Sequence, residues 1–171
     1  MDRIESSNQK DNNVVNSSTT PEIEEGPYYK PGSPEKTDLF EEGIPGTRLT
    51  LSGHVFDTRG KPISHAWLDF WHANGRGVYD NSGFALRGHQ FTDESGAYFL
   101  KTIMPGAYEI RTPHIHVKVR ANQTSPILTT QLFIPGLASN KGDFLYREDL
   151  LIDMKDTSSG KKAIFNFTVQ D

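Results

Sequence analysis

The sequence predicts an all-β fold: an antiparallel β-sandwich with long functional loops and a disordered or extended N-terminal arm. Three observations predict it. From residue 47 onward, short β-type runs are broken by Gly, Pro, Asp and Asn at the intervals of a sandwich. Apolar side chains inside those runs alternate with a period of two, so each run offers one face to a core. No long helical period and no strong internal repeat occurs in the chain. Length and composition agree, because 171 residues with 35% hydrophobic and 23% charged side chains suit one domain able to bury a core.

The elements follow in order. Residues 1–20, rich in Asn, Ser and charge, are expected to form a flexible polar tail, and residues 21–171 the folded domain. Pro21 to Lys36 is dense in Pro and Gly yet carries Tyr28 and Tyr29, which predicts an extended arm lying on the domain. Strands are predicted near 48–57, 65–72, 97–102, 114–121, 127–134 and 162–169. In the first, Leu49, Leu51, Gly53 and Val55 share a face; Ala66, Leu68 and Phe70 do so in the second, and Phe165, Phe167 and Val169 in the last. Turn chemistry falls between them at Asp57 to Pro62, Asp93 to Gly96 and Met104 to Gly106. The connection over 73–91 is Gly-rich, aperiodic and too long for a hairpin, a length expected of a functional or a disordered loop.

Composition also excludes. A net charge of −4 and no long basic run argue against a nucleic-acid partner. With no cysteine, thiolate metal sites, disulfides and cysteine nucleophiles are ruled out, so any metal must be held by oxygen and nitrogen. No stretch approaches the ~20 apolar residues that span a bilayer, and the N-terminus lacks the apolar block of a signal peptide. No membrane partner and a cytoplasmic location are therefore expected, although a processed, exported form would read the same.

The segment Arg111-Thr112-Pro113-His114-Ile115-His116-Val117-Lys118-Val119 carries the chemistry. On a strand, Ile115, Val117 and Val119 point to the core while His114 and His116 share the opposite face, their backbones ~7 Å apart and able to converge on one ion. His-x-His also occurs on solvated strand faces, and Lys118 and Arg120 continue this face in keeping with that plainer reading. Two tyrosines lie in suggestive places: Tyr79 in the long loop, and Tyr108 after a Pro-Gly turn just before the histidines. Tyrosinate suits Fe(III), a hard ion able to depress a phenol pKa. Position alone favours reading each as an ordinary sandwich aromatic with a surface hydroxyl.

The Trp-x-Ala-x-x-x-Gly-x-Tyr run from Trp71 to Tyr79, the Pro-Gly-x-Tyr turn from Pro105 to Tyr108 and the Arg-x-x-His-x-His run from Arg111 to His116 occur in one order. Together with LTTQLFIPG they resemble the intradiol ring-cleavage dioxygenases, the family of protocatechuate 3,4-dioxygenase and catechol 1,2-dioxygenase, over about residues 21 to 169. The resemblance implies one non-haem Fe(III) per chain, held by Tyr79, Tyr108, His114 and His116. It implies O2-dependent opening of a catechol-type ring to a cis,cis-muconate-type diacid, with Tyr108 leaving the metal to take a substrate proton. It also gives Arg111 the part of stabilising developing negative charge, with Gln131 as a second donor. Gly26, Pro27 and Tyr28 match the arm bordering the family's substrate pocket, and Val78 and Ile110, beside site residues, are expected to line it.

His54, His65, His72 and His89 match nothing in that pattern and are read as structural or solvated, and Trp67 and Trp71 as packing residues. The expected partners are a small catechol and O2, with self-association left open because no helical dimerisation region precedes the arm. The spacing from Tyr108 to Arg111 is also shorter than in protocatechuate enzymes, so the substrate is not fixed. The rival readings are a non-catalytic β-sandwich of the transthyretin-like or carboxypeptidase-regulatory kind, and a histidine-based zinc or copper protein.

Overall fold

The computed structural model describes residues 18–171. The tail expected over residues 1–20 lies outside the described residues as far as residue 17. Thr20 is already docked: its N–H donates to the Thr168 carbonyl at 2.9 Å, and its Oγ1 accepts from the Thr168 N–H at 2.9 Å.

Among the described residues, nine strands form two packed sheets: β1 (Arg48–Phe56), β2 (Trp67–Trp71), β3 (Arg87–Phe91), β4 (Ala97–Ile103), β5 (His114–Arg120), β6 (Leu128–Phe133), β7 (Asp153–Thr157), β8 (Gly160–Ile164) and β9 (Phe167–Thr168). One sheet runs β4-β1-β8-β7 with β9 also on β1, and the other runs β3-β2-β5-β6. Pairing is antiparallel, as predicted, except that β8 and β9 both run parallel to β1. Leu49, Leu51, Leu68, Phe70, Leu100, Ile115, Val117, Val119 and Phe167 fill the space between the sheets. Phe70 and Phe167 are fully buried, each worth about 2–3 kcal/mol of transfer free energy.

Five of the six predicted strands appear within two residues of their expected bounds. The last, over 162–169, is divided. Phe165 and Asn166 step out of the ladder between β8 and β9, and the Phe165 carbonyl crosses where a side chain on residue 53 would stand. A Cβ there would lie 1.9 Å from that oxygen, so only glycine fits Gly53. The Asn166 side chain keeps the ladder closed by accepting the His54 N–H at 2.9 Å. Strands β3 and β7 were not predicted; β3 closes the long loop after Trp71, whose irregular part is therefore shorter than 73–91.

The second sheet positions the site. Its register sets Trp71 opposite His116 and His116 opposite Gln131, with Asp69 opposite Lys118 and Lys118 opposite Thr129 in the next row. These side chains share the face turned away from the core. That face is covered rather than solvated, because the N-terminal arm lies across it as expected. Glu25 pairs with Lys118 at 2.6 Å, and the Lys118 ammonium also lies 4.6 Å from the centre of the Tyr29 ring. The Tyr29 hydroxyl and the Ser33 hydroxyl donate to the two oxygens of buried Asp69 at 3.0 and 2.8 Å. A sheet face sealed on both sides can therefore carry polar groups out of water.

Candidate metal centre

His114 and His116 stand at the start of β5, only 4% and 3% exposed. Their Nε2 atoms are 3.0 Å apart. The Tyr79 hydroxyl lies 2.9 Å from His116 Nε2 and 3.4 Å from His114 Nε2. His114 Nδ1 bonds the Thr112 carbonyl at 2.7 Å, and since a carbonyl only accepts, Nδ1 carries the proton and Nε2 the lone pair. Burial, partly opposed by the Thr112 bond, brings His114 down to about 4, and burial pushes His116 down as well, so both rings are neutral. Trp71 lies flat against His116, with ring centres 4.7 Å apart and planes 9° apart, and fixes the ring that no hydrogen bond holds at Nδ1.

Two loops deliver the tyrosines. The turn before Tyr79 is organised by Asn74, whose side-chain oxygen accepts the N–H groups of Arg76 and Val78 at 2.9 and 3.2 Å. Its carbonyl accepts from Gly106 at 2.8 Å, binding this turn to the Pro-Gly turn before Tyr108. The two turns touch through backbone: Gly77 has φ +79°, and a Cβ there would stand 1.9 Å from the Ala107 carbonyl oxygen. After Tyr79, buried Arg87 gathers the loop and the arm, donating to the carbonyls of Asp80 at 3.0 Å and Tyr28 at 2.5 Å. Tyr108 begins a tight turn closed by the Arg111 N–H on its carbonyl at 2.8 Å, with Glu109 at φ +49°.

The Tyr108 ring lies edge-on to Tyr79 at 5.7 Å, and its hydroxyl is hydrogen-bonded to that of Tyr28. That bond, helped by partial burial, raises the Tyr108 phenol to about 12. Burial pushes the Tyr79 phenol up, against the opposing pull of the Arg111 and Arg87 guanidiniums. Tyr28 also stacks on Tyr79 at 4.5 Å.

These residues fit a trivalent metal. Donor atoms 2.9–3.4 Å apart have the edge lengths of a coordination shell with bonds of roughly 2.0–2.1 Å. Two neutral imidazole lone pairs and a phenol oxygen converge where no protein cation stands between them. A hard cation there reverses the cost of ionising a buried phenol. Among the described residues no three His, Asp or Glu side chains converge, so a site here needs the tyrosines to complete it, which disfavours a purely histidine- and carboxylate-held zinc or copper.

The remaining residues fall around this centre. Gly26 lies against His116, where a Cβ would stand 3.5 Å from the ring. Pro27 is exposed beside it. Val78 and Ile110 are exposed at 59% and 83% and adjoin Tyr79 and Arg111 in sequence. Arg111 reaches Gln131, its Nη2 donating to Oε1 at 2.5 Å, and Gln131 is itself braced by donating Nε2 to the Glu24 carbonyl at 3.1 Å. Sequence reasoning missed Asp143, which accepts from Arg111 Nε at 2.8 Å, and the exposed Phe144 beside it. Neither sits in a motif or a periodic run. Among the unassigned histidines, His72 is buried between Ala73 and Thr102, His89 bonds Ser33, and His54 and His65 stack on Phe56 and Phe91.

A family profile described as Dioxygenase matches residues 24–169. Catechol 1,2-dioxygenase of Acinetobacter baylyi is 33% identical over 165 residues, covering 78% of this chain and 53% of that protein. Chlorocatechol 1,2-dioxygenase of Rhodococcus opacus is 30% identical over 142 residues, covering 66% of this chain and 55% of that one. The chain thus spans about half the length of the curated relatives it matches. Among solved structures, the dioxygenase domain of a dioxygenase and carbohydrate-binding protein fusion from Streptomyces sp. SirexAA-E superposes with a TM-score of 0.86 at 46% identity, over 90% of this chain and 99% of that one. Catechol 1,2-dioxygenase of Acinetobacter sp. ADP1 superposes with a TM-score of 0.81 at 27% identity, over 94% of this chain and 66% of that one.

Proposed function

The chain belongs to the intradiol ring-cleaving dioxygenases, and from that premise we propose that it opens a catechol-type ring between its two hydroxyls with O2, using Fe(III) held by Tyr79, Tyr108, His114 and His116. The observation that carries the reading is the convergence of Tyr79 Oη with both histidine Nε2 atoms within 3.4 Å. When bound, ferric iron supplies the Lewis acidity that makes the aromatic ring, rather than the oxygen, the activated partner.

The side chains divide the remaining work by burial. Tyr79, 7% exposed and enclosed by Tyr28 and His116, has no room to move and serves as a fixed ligand. Tyr108 is half-buried, lies on a surface turn and has a phenol partner outside the histidine cluster. Of the two tyrosines that would hold the metal it has the freer side chain, and as phenolate it would take one catechol proton at its Oη, the resulting phenol being retained by the hydrogen bond to Tyr28. A separate carboxylate base is then unnecessary. Arg111 is held at Nε and Nη2, which leaves Nη1 as the nitrogen engaged by neither Asp143 nor Gln131, and this donor meets negative charge developing on the substrate. Val78 and Ile110, with Phe144, give the mouth an apolar rim for an aromatic ring. The arm and Trp71 keep water from the histidine side.

Oxygen uptake by the iron-loaded protein against catechol, protocatechuate, hydroxyquinol and bulkier substituted catechols tests the proposal. Ring opening consumes one O2 per substrate and gives a dicarboxylic acid heavier by two oxygen atoms. A product lighter by two hydrogens, a quinone, would refute it.

A further inference from the structure

We infer that Asp143 is a positioning residue for the reaction: its carboxylate sets the Arg111 guanidinium and the Thr112 peptide in one arrangement, and turnover depends on Arg111 being held there. The rate effect rests on the ring-cleaving reading above, whereas the clamp itself stands on geometry.

Asp143 follows a short 3-10 helix, Ala138–Gly142, and its side chain is wholly out of solvent while that of Arg111 is 14% exposed. One oxygen, Oδ2, accepts twice: from Arg111 Nε at 2.8 Å and from the Thr112 N–H at 2.9 Å. The other, Oδ1, accepts the Leu145 N–H at 2.9 Å, so the carboxylate cannot rotate away. The helix is itself tied to the same peptide, since the Thr112 hydroxyl donates to Asn140 Oδ1 at 2.6 Å and Asn140 donates to the Ile134 carbonyl at 2.8 Å. On the opposite side Gln131, braced by Glu24, holds Arg111 Nη2. The guanidinium is thus gripped at two of its three nitrogens by groups that are themselves gripped.

This arrangement does more than add stability. A buried ion pair seldom stabilises a fold better than apolar side chains of equal volume, because both ions lose their water. What it does provide is direction. Arginine has four side-chain torsions to fix, and a donor that must meet charge appearing only during the reaction is effective when those torsions are fixed beforehand. Asp143 also reaches the metal ligands by one further step: Thr112, whose N–H it accepts, carries on its other side the carbonyl that His114 Nδ1 bonds at 2.7 Å. Removing the charge on Asp143 therefore releases Arg111 first, because every metal ligand keeps its own contacts.

The test compares Asp143→Asn, Arg111→Lys and the double variant as iron-loaded enzymes. Asp143→Asn is expected to keep native iron content and native visible absorption while kcat/KM falls about 100-fold. The double variant should be no slower than the slower single variant. Activity within about threefold of native, losses that multiply, or loss of iron along with activity would each overturn the proposal. Should Asp143→Asn fail to fold, Asp143→Glu decides: native activity overturns the proposal, and a loss at native iron content supports it. A readout independent of turnover is the Arg111 Nε–H resonance of the full chain loaded with gallium(III). It should persist at neutral pH in the native protein and vanish in Asp143→Asn. A rapidly exchanging native signal would overturn the clamp even where catechol is cleaved, and a protected signal with no cleavage would fault the reaction instead.

Discussion

His72 shows what a single side chain contributes away from the chemistry. It follows Trp71, is wholly buried, and joins the two sheets: Nδ1 bonds the Ala73 carbonyl and Nε2 the Thr102 hydroxyl, each at 2.7 Å. Burial lowers it to about 4. The unfolded chain takes up this proton near 6.5, so between that value and about 4 it binds more protons than the native protein, and stability must fall as pH falls. At roughly 1.4 kcal/mol per unit the loss reaches about 3 kcal/mol at pH 4. Urea denaturation at stepped pH should show this decline in the native protein and a shallower one in His72→Gln. Equal slopes would mean that the buried imidazole is not its source. In the sequence His72 looked the same as His54 or His65, because only tertiary packing tells a bridging histidine from a stacked one. His114 and His116 were legible because a period of two puts both on one strand face, whatever the rest of the chain does. Asp143 was not, since its partners lie 31 and 32 residues away.

At the scale of elements, alternation marked β1, β2 and β5, while β4 and β6, whose inward rows include buried Thr102 and Thr130, stand out only as β-type runs between turn residues. It did not find β7, whose sequence Asp153-Met-Lys-Asp-Thr157 sits almost wholly in solvent at a sheet edge, nor β3, where Arg87 and Gln90 are buried by polar partners. Edge position and buried polarity both remove the apolar signal on which such reading depends. The break between β8 and β9 was equally hidden, although Gly53 sat among the inward residues of β1 as a mark of close approach. Gly53→Ala should destabilise the protein by about 3 kcal/mol, because the obstacle is the Phe165 backbone carbonyl and not a side chain that can turn aside. A denaturation midpoint within error of native would show that the β1–β9 region yields more readily than its packing implies. The arm, by contrast, was legible as an arm: two tyrosines in a Pro- and Gly-rich segment called for a surface to lie on, and they found Trp71, Tyr79 and Tyr108.

At the scale of the molecule, the two faces of the β3-β2-β5-β6 sheet do different work. The inner face supplies the shared core. The outer face, closed by residues from about 20 to 36, holds His114, His116, Asp69 and Arg87 out of water, so that their charge and lone pairs act at short range. The order of Tyr79, Tyr108 and the histidines along the chain becomes a cluster because two backbone contacts, the Gly106 N–H on the Asn74 carbonyl and Gly77 against Ala107, lock the two tyrosine loops together. Motif spacing anticipated that set; the arm's part in bracing Gln131 through Glu24 and Tyr108 through Tyr28 came only with the fold. Binding of ferric iron through tyrosinate at this cluster is tested most directly by the visible absorption of the iron-loaded protein. A broad charge-transfer band giving a red-brown colour, weakened or shifted in Tyr108→Phe, is the predicted result. A colourless protein carrying one Fe(III) per chain would contradict it.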